Sequence, residues 1–161
     1  MMRKIFFILS VSVLISGINL VISDNQLVVA AGSETYSLSA KPAIIAKAEK
    51  AIKEGQFADA YKVLSENEQQ HSNNADLYNL MGYSARKLEL FDDSMAHYQK
   101  ALSIDPKHKG ALEYLGELYL TLDQPDNAKL ILGKLKSICF LGCEEKTELS
   151  DAIKKWEATN K

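Results

Sequence analysis

The sequence predicts an all-α fold: an α-solenoid of about three stacked helical hairpins, closed by a C-terminal helix and preceded by an N-terminal signal segment. Three observations carry that expectation. Glycine recurs at positions 82 and 116, an interval of 34, each time inside a segment with helical apolar spacing. Each of those segments is followed by a second amphipathic run, so the repeating unit is two helices joined by a short turn. The last stretch, Glu144 to Ala158, adds one more stripe, with Leu149, Ala152, Ile153 and Trp156 on one side.

The totals agree. A chain of 161 residues is long enough for one domain, and 47% apolar with 25% charged residues is the balance of a globular protein. A disordered chain would carry fewer apolar residues and more net charge. The formal charge of -2 supplies no concentrated basic face, so nucleic acid is not an expected partner.

The N-terminus differs from everything after it. Met1-Met2-Arg3-Lys4 is a short basic start, and Ile5 to Ile18 is apolar apart from Ser10, Ser12, Ser16 and Gly17. That order is the order of a secretory signal. Two cleavage positions suit it, after Ser23 (signal 1–23) or after Ala31. An uncleaved anchor is the alternative, because the run from Ile5 to Ile22 reaches the shortest stretch that crosses a bilayer, about 17 residues. The protein is therefore expected to be periplasmic or secreted, or else membrane-anchored and facing the periplasm. Residues 24–40 show no stable period and are expected to be a flexible lead.

In the helical part, Leu77, Leu80, Met81, Ser84, Ala85 and Leu88 make one apolar face, and Ala111, Leu112, Leu115, Leu118, Tyr119 and Leu122 make its counterpart. A glycine inside a helix costs about 0.5–1 kcal/mol relative to alanine, so its recurrence in two such helices implies close packing against a neighbour. The second helices are Phe91 to Ser103, ending before Asp105-Pro106, and Pro125 to Ile138, with proline suited to a first turn.

These residues resemble the tetratricopeptide repeat (TPR) family, whose signature is W-x2-L-G-x2-Y…A-x3-F…P over about 34 residues. Residues 75–108 supply Tyr78, Met81, Gly82, Ala85, Ser94, Tyr98 and Pro106; residues 109–142 supply Leu112, Leu115, Gly116, Tyr119, Ala128 and Leu132, with Phe140 where proline belongs. A degenerate unit, 41–74, has Ile44, Ala48, Ala51, Ala60 and Leu64, but Lys47 replaces an apolar residue and Ser72 the proline. Residues 143–161 are the expected capping helix, with Trp156 as its core filler.

The resemblance implies a protein–protein interaction module that takes a protein or peptide in a concave groove lined by the first helix of each unit. By spacing, that face is Asp76, Asn79, Tyr83, Arg86 and Lys87 from the second unit, with Glu113, Glu117, Gly110, Leu120 and Thr121 from the third. The first unit adds Ile45, Glu49, Ile52 and Lys53. Tyr83 is the best single contact candidate, since tyrosine offers area and a hydroxyl. Some members of the family grip a terminal carboxylate with a lysine, asparagine and arginine clamp; the matching places here are Ile45, Glu49, Leu80, Gly110 and Tyr114, and none fits.

Cys139 and Cys143 flank a short loop before the last helix. In an oxidising compartment a structural disulfide is the expectation, with unpaired buried cysteines, or redox or copper(I) handling, as alternatives. No C-x-x-C, H-E-x-x-H, G-x-S-x-G or phosphate-binding glycine loop occurs, and His71, His97 and His108 form no ligand pattern. No catalytic residue, metal or cofactor is expected. The function predicted is an exported scaffold or adaptor; a membrane-anchored assembly factor of an envelope complex is the alternative.

Overall fold

The structure is a computed structural model, and it describes Asn19–Ser23, Gln26–Ala30 and residues 41–160. The basic start and most of the apolar run of the expected signal lie outside the described residues. The chain forms two compact units, Met1–Ala40 and Lys41–Lys161.

In the first unit β1 (Asn19–Ser23) pairs antiparallel with β2 (Gln26–Ala30), Leu20 opposite Val29 and Val21 opposite Val28. The expected lead is therefore partly regular. Its Gln26–Ala30 stretch carries two β-branched valines and finds a matching strand in Leu20-Val21-Ile22, a cross-strand pairing that leaves no helical period in the sequence.

The second unit is all-α, as expected. It comprises α1 (Ala43–Lys53), α2 (Phe57–Ser65), α3 (Ala75–Lys87), α4 (Phe91–Ile104), α5 (Lys109–Thr121), α6 (Pro125–Ile138) and α7 (Glu144–Thr159), with one 3₁₀ turn at Gln69–His71. Among the described residues, no helix is long and apolar enough to cross a membrane.

The repeat is visible in the backbone. Gly55, Glu89 and Asp123, successive steps of 34, all have positive φ (74°, 60° and 58°) just after the first helix of a pair. Each closes the same turn: Gln56 N–H donates to Ala51 O at 2.8 Å, Leu90 N–H to Ala85 O at 2.9 Å and Gln124 N–H to Tyr119 O at 2.8 Å. These bonds satisfy carbonyls that a helix end leaves open. The degenerate first pair thus obeys the same geometry as the others.

The core runs continuously through the stack, from Ile45 and Leu64 through Leu77, Met81 and Tyr98 to Leu112, Leu135 and Leu149. No single hairpin could bury such a face alone. The two recurring glycines, Gly82 and Gly116, each receive a neighbouring side chain. A Cβ at Gly82 would lie 2.6 Å from the Tyr98 ring of α4, and one at Gly116 would lie 2.5 Å from Leu149 of α7. The inserted groups differ for a simple reason. One repeat after Tyr98 stands the smaller Leu132, and α7 closes on α5 instead. Ser94, completely buried, donates its hydroxyl to Gly82 O at 2.8 Å; its counterpart Ala128 cannot.

Candidate functional site

The site is built on the sides of α3 and α5 beside α7. Tyr83, half-buried, has its ring 4.9 Å from that of Tyr114 and 6.1 Å from that of Phe57, an aromatic floor on three different helices. Both tyrosines project from first helices because each stands on the polar side of its apolar stripe. The guanidinium of Arg86 lies 5.6 Å from the Tyr83 centroid and 5.8 Å from the Tyr114 centroid, and donates to Glu117 Oε2 at 2.6 Å. Burial disfavours the charge of Arg86, but Tyr98 and Glu117 outweigh that and hold it above its ordinary value. Burial pushes the Tyr114 phenol up to about 12, with Glu113 adding to it, so that phenol stays a neutral hydrogen-bonding group near pH 7. Lys87 Nζ stands 5.3 Å from the Tyr83 centroid and is exposed.

Beside this floor is a hollow of about 380 Å³. Arg86, Glu117, Leu120 and Thr121 form one side; Ala152, Lys155, Trp156 and Thr159 of α7 form the other. Spacing places the first four on the groove. For Trp156 a core role is the favoured expectation over a binding one; the half-buried indole both packs on the core and lines the hollow. The α7 wall and the contribution of Phe57 have no signal in a repeat register, because neither belongs to the first helix of a pair.

The remaining candidates fall elsewhere. Asp76 is exposed and 3.0 Å from His108 Nε2. That histidine caps α5, Nδ1 accepting from Ala111 N–H at 3.0 Å, so the neutral ring carries its proton on Nε2 and donates it to Asp76. Asn79 is 8% exposed and packed beside Gly110 at the α3–α5 contact. Glu113 corrects the expectation most clearly. It is 3% exposed, lying under α7 rather than on open groove, because Gly116 lets Leu149 seat deeply and brings α7 over that part of α5. Burial, and then Glu148, Glu117 and Glu145, push its carboxyl up to about 9. His97 shares a hydrogen bond with the Tyr61 hydroxyl at 3.1 Å and stacks on Tyr78, with burial lowering its pKa; it is packing, not a ligand set.

Cys139 and Cys143 form a pair, sulfurs in bonding contact and Cα atoms 5.6 Å apart. A carboxylate oxygen of Glu145 lies within 4.8 Å of both sulfurs. While each sulfur is committed to the other, neither is a thiolate able to ligate or attack.

Residues 75–108 match the family model described as tetratricopeptide repeat. That stretch, α3 and α4, is a tetratricopeptide repeat. No curated protein matches it by sequence at a significant level. Among solved structures the chain is similar to the second TPR domain of human RPAP3 in complex with the HSP70 peptide SGPTIEEVD, at 18% identity and TM-score 0.60, covering 68% of this chain and 91% of that one. It is also similar to the Arabidopsis OM64 TPR domain, at 18% identity and TM-score 0.63, covering 70% and 93%. A third is the TPR2B domain of yeast Sti1 in its pHsp70 complex, at 16% identity and TM-score 0.64, covering 73% and 99%. At these identities the likeness is one of TPR fold.

Proposed function

We propose that this is an exported protein-interaction module that takes an extended peptide or a partner helix against α3, α5 and α7, and that it is not an enzyme. The observation that carries the reading is the floor of Tyr83 and Tyr114, with exposed Lys87 above it and the Arg86–Glu117 pair opening onto the hollow beside Trp156. Aromatic rings and a guanidinium, half-buried and fixed by their neighbours, are the residue types on which binding energy concentrates. Two of the similar solved TPR structures hold chaperone peptides, which supports a peptide as the ligand type. The chemistry of the ligand differs from a carboxylate-terminated acidic tail, because Ile45, Glu49, Leu80, Gly110 and Tyr114 provide no cationic clamp. A ligand with an apolar or aromatic side chain for the hollow and an acidic group for Lys87 fits better.

The basic start and apolar run of residues 1–22 support export into an oxidising compartment, and the paired Cys139 and Cys143 suit a structural disulfide there. A membrane-anchored assembly factor is the second reading, favoured by the same apolar run if it is retained. Affinity capture from envelope extract tests the groove: Tyr83→Ala with Lys87→Glu should lose partners that the native chain retains, and an unchanged set of partners contradicts it. Intact mass separates the two readings, since cleavage after Ser23 or after Ala31 shortens the chain and a retained anchor leaves it whole.

A further inference from the structure

Two large apolar side chains stand apart from both the core and the groove. Phe140 is 82% exposed and Leu141 is 88% exposed, more than any other large hydrophobic residue among the described residues. They are adjacent, and they occupy the tip of the loop that Cys139 and Cys143 close. Cys139 itself is buried and Gly142, with φ of +98°, turns the chain back, its N–H donating to Cys139 O at 2.9 Å. The closed ring and this turn set Phe140 and Leu141 at the tip, facing solvent. A soluble surface normally hides such a pair or uses it.

The surroundings say what would cover it. Lys136 and Lys146 flank the loop and line one shallow hollow with Thr147, Ser150, Asp151 and Lys154. Among the described residues neither Lys136 nor Lys146 is paired with a carboxylate, whereas Lys154 is bound to Asp151 at 2.8 Å. Glu144 and Glu145 also follow the loop; a carboxylate oxygen of Glu145 lies within 4.8 Å of both sulfurs, at the base of the ring and not at its tip. Lysine is depleted at the centres of protein–protein interfaces, where its hydration is lost for little return. Beside anionic lipid the same residue is favourable, and an aromatic and a leucine at the acyl boundary complete the pattern.

We propose that the Phe140–Leu141 tip inserts into the interface of an anionic lipid bilayer, with Lys136 and Lys146 resting among the headgroups. One short tip gives reversible attachment only. It would hold the stack at a membrane with its peptide groove, on different residues, left open. This inference does not depend on the groove reading, since Tyr83→Ala leaves the tip untouched.

The test uses the full chain. Trp156→Phe removes the chain's only tryptophan, and Phe140→Trp then reports from the tip; a companion carries Leu130→Trp, at an exposed position of α6, in its place. All replacements at the tip and on α6 are at solvent-exposed positions, and circular dichroism confirms that each variant keeps its helices. Each is mixed with vesicles of phosphatidylcholine containing one-third phosphatidylglycerol, their acyl chains brominated near the headgroup. The tip indole should shift to the blue and lose about half its emission, while the α6 indole keeps its own. Lys136→Glu with Lys146→Glu should weaken the tip response severalfold. Unchanged tip emission, or equal quenching at both positions, overturns the proposal. So does a blue shift that needs no lipid and grows with protein concentration, which would make the tip a protein contact.

Discussion

Tyr98 fills the place that a side chain at residue 82 would occupy: its ring carbons lie 2.6 Å from where a Cβ on Gly82 would stand. Tyr98 is wholly buried, and Gly82 O is bonded to Ser94, so neither can retreat without breaking something else. Gly82→Ala is therefore expected to destabilise the fold by about 1–3 kcal/mol, the range for an overpacked core. In a Tyr98→Leu background, which enlarges the space, the same replacement should cost less than half as much. Urea denaturation of the four proteins measures the coupling. Additive effects would mean that the ring and the glycine do not oppose each other.

The positive-φ turns give a second prediction. Gly55 adopts φ of 74° without strain, whereas Glu89 holds 60° with a β-carbon in the way. Left-handed backbone costs a side-chain-bearing residue about 1–2 kcal/mol, part of which glycine returns as lost chain entropy. Glu89→Gly should thus stabilise by about 0.5–1 kcal/mol, and Gly55→Ala should destabilise by about 1 kcal/mol. Thermal melts of the two variants check the opposite signs.

Much of this is legible beforehand, and the residues show why. A period of 34 and the apolar stripes locate the paired helices α1 to α6, because each stripe must face its neighbours in the stack. Glycine recurrence indicates close approach at Gly82 and Gly116, but not that one receives Tyr98 and the other Leu149. That choice depends on where α7 lands, which no repeat register specifies. For the same reason Glu113 and Glu117 look equivalent in sequence, one helical turn apart on one face, yet only Glu113 is sealed. The β1–β2 pairing escapes because Leu20-Val21-Ile22 and Leu27-Val28-Val29 are short continuous apolar runs, which no alternation marks as strands.

Glu113 makes stability depend on pH. Its carboxyl is raised from 4.5 to about 9 by burial first and the neighbouring carboxylates second. In that interval the folded chain holds a proton that the unfolded chain has released, so stability falls as pH rises from about 5 to 8. Glu113→Gln keeps the shape without the proton. It should raise stability at pH 8 by roughly 1–2 kcal/mol and flatten the dependence. Denaturation at pH 5 and pH 8 decides it; parallel curves for the two proteins would locate the dependence elsewhere.

The Arg86–Glu117 contact is half-sheltered, with side-chain exposures of 13% and 28%. Arg86→Met should cost roughly 1–3 kcal/mol, much of it from leaving Glu117 without its partner. Arg86→Lys should recover less than half, because a lysine cannot lie flat beside Tyr83 and Tyr114 while reaching the carboxylate. A double-mutant cycle with Glu117→Gln isolates the pair.

Photocrosslinking in cells that express the full chain tests the central claim most directly. A photoreactive residue replaces Tyr83 in one full-length chain and exposed Gln99, on α4, in another. A docking surface on α3, α5 and α7 predicts a discrete crosslinked partner from position 83, lost when Lys87→Glu is added, and none from position 99. Crosslinks of equal yield from both positions, or from position 99 alone, would contradict it.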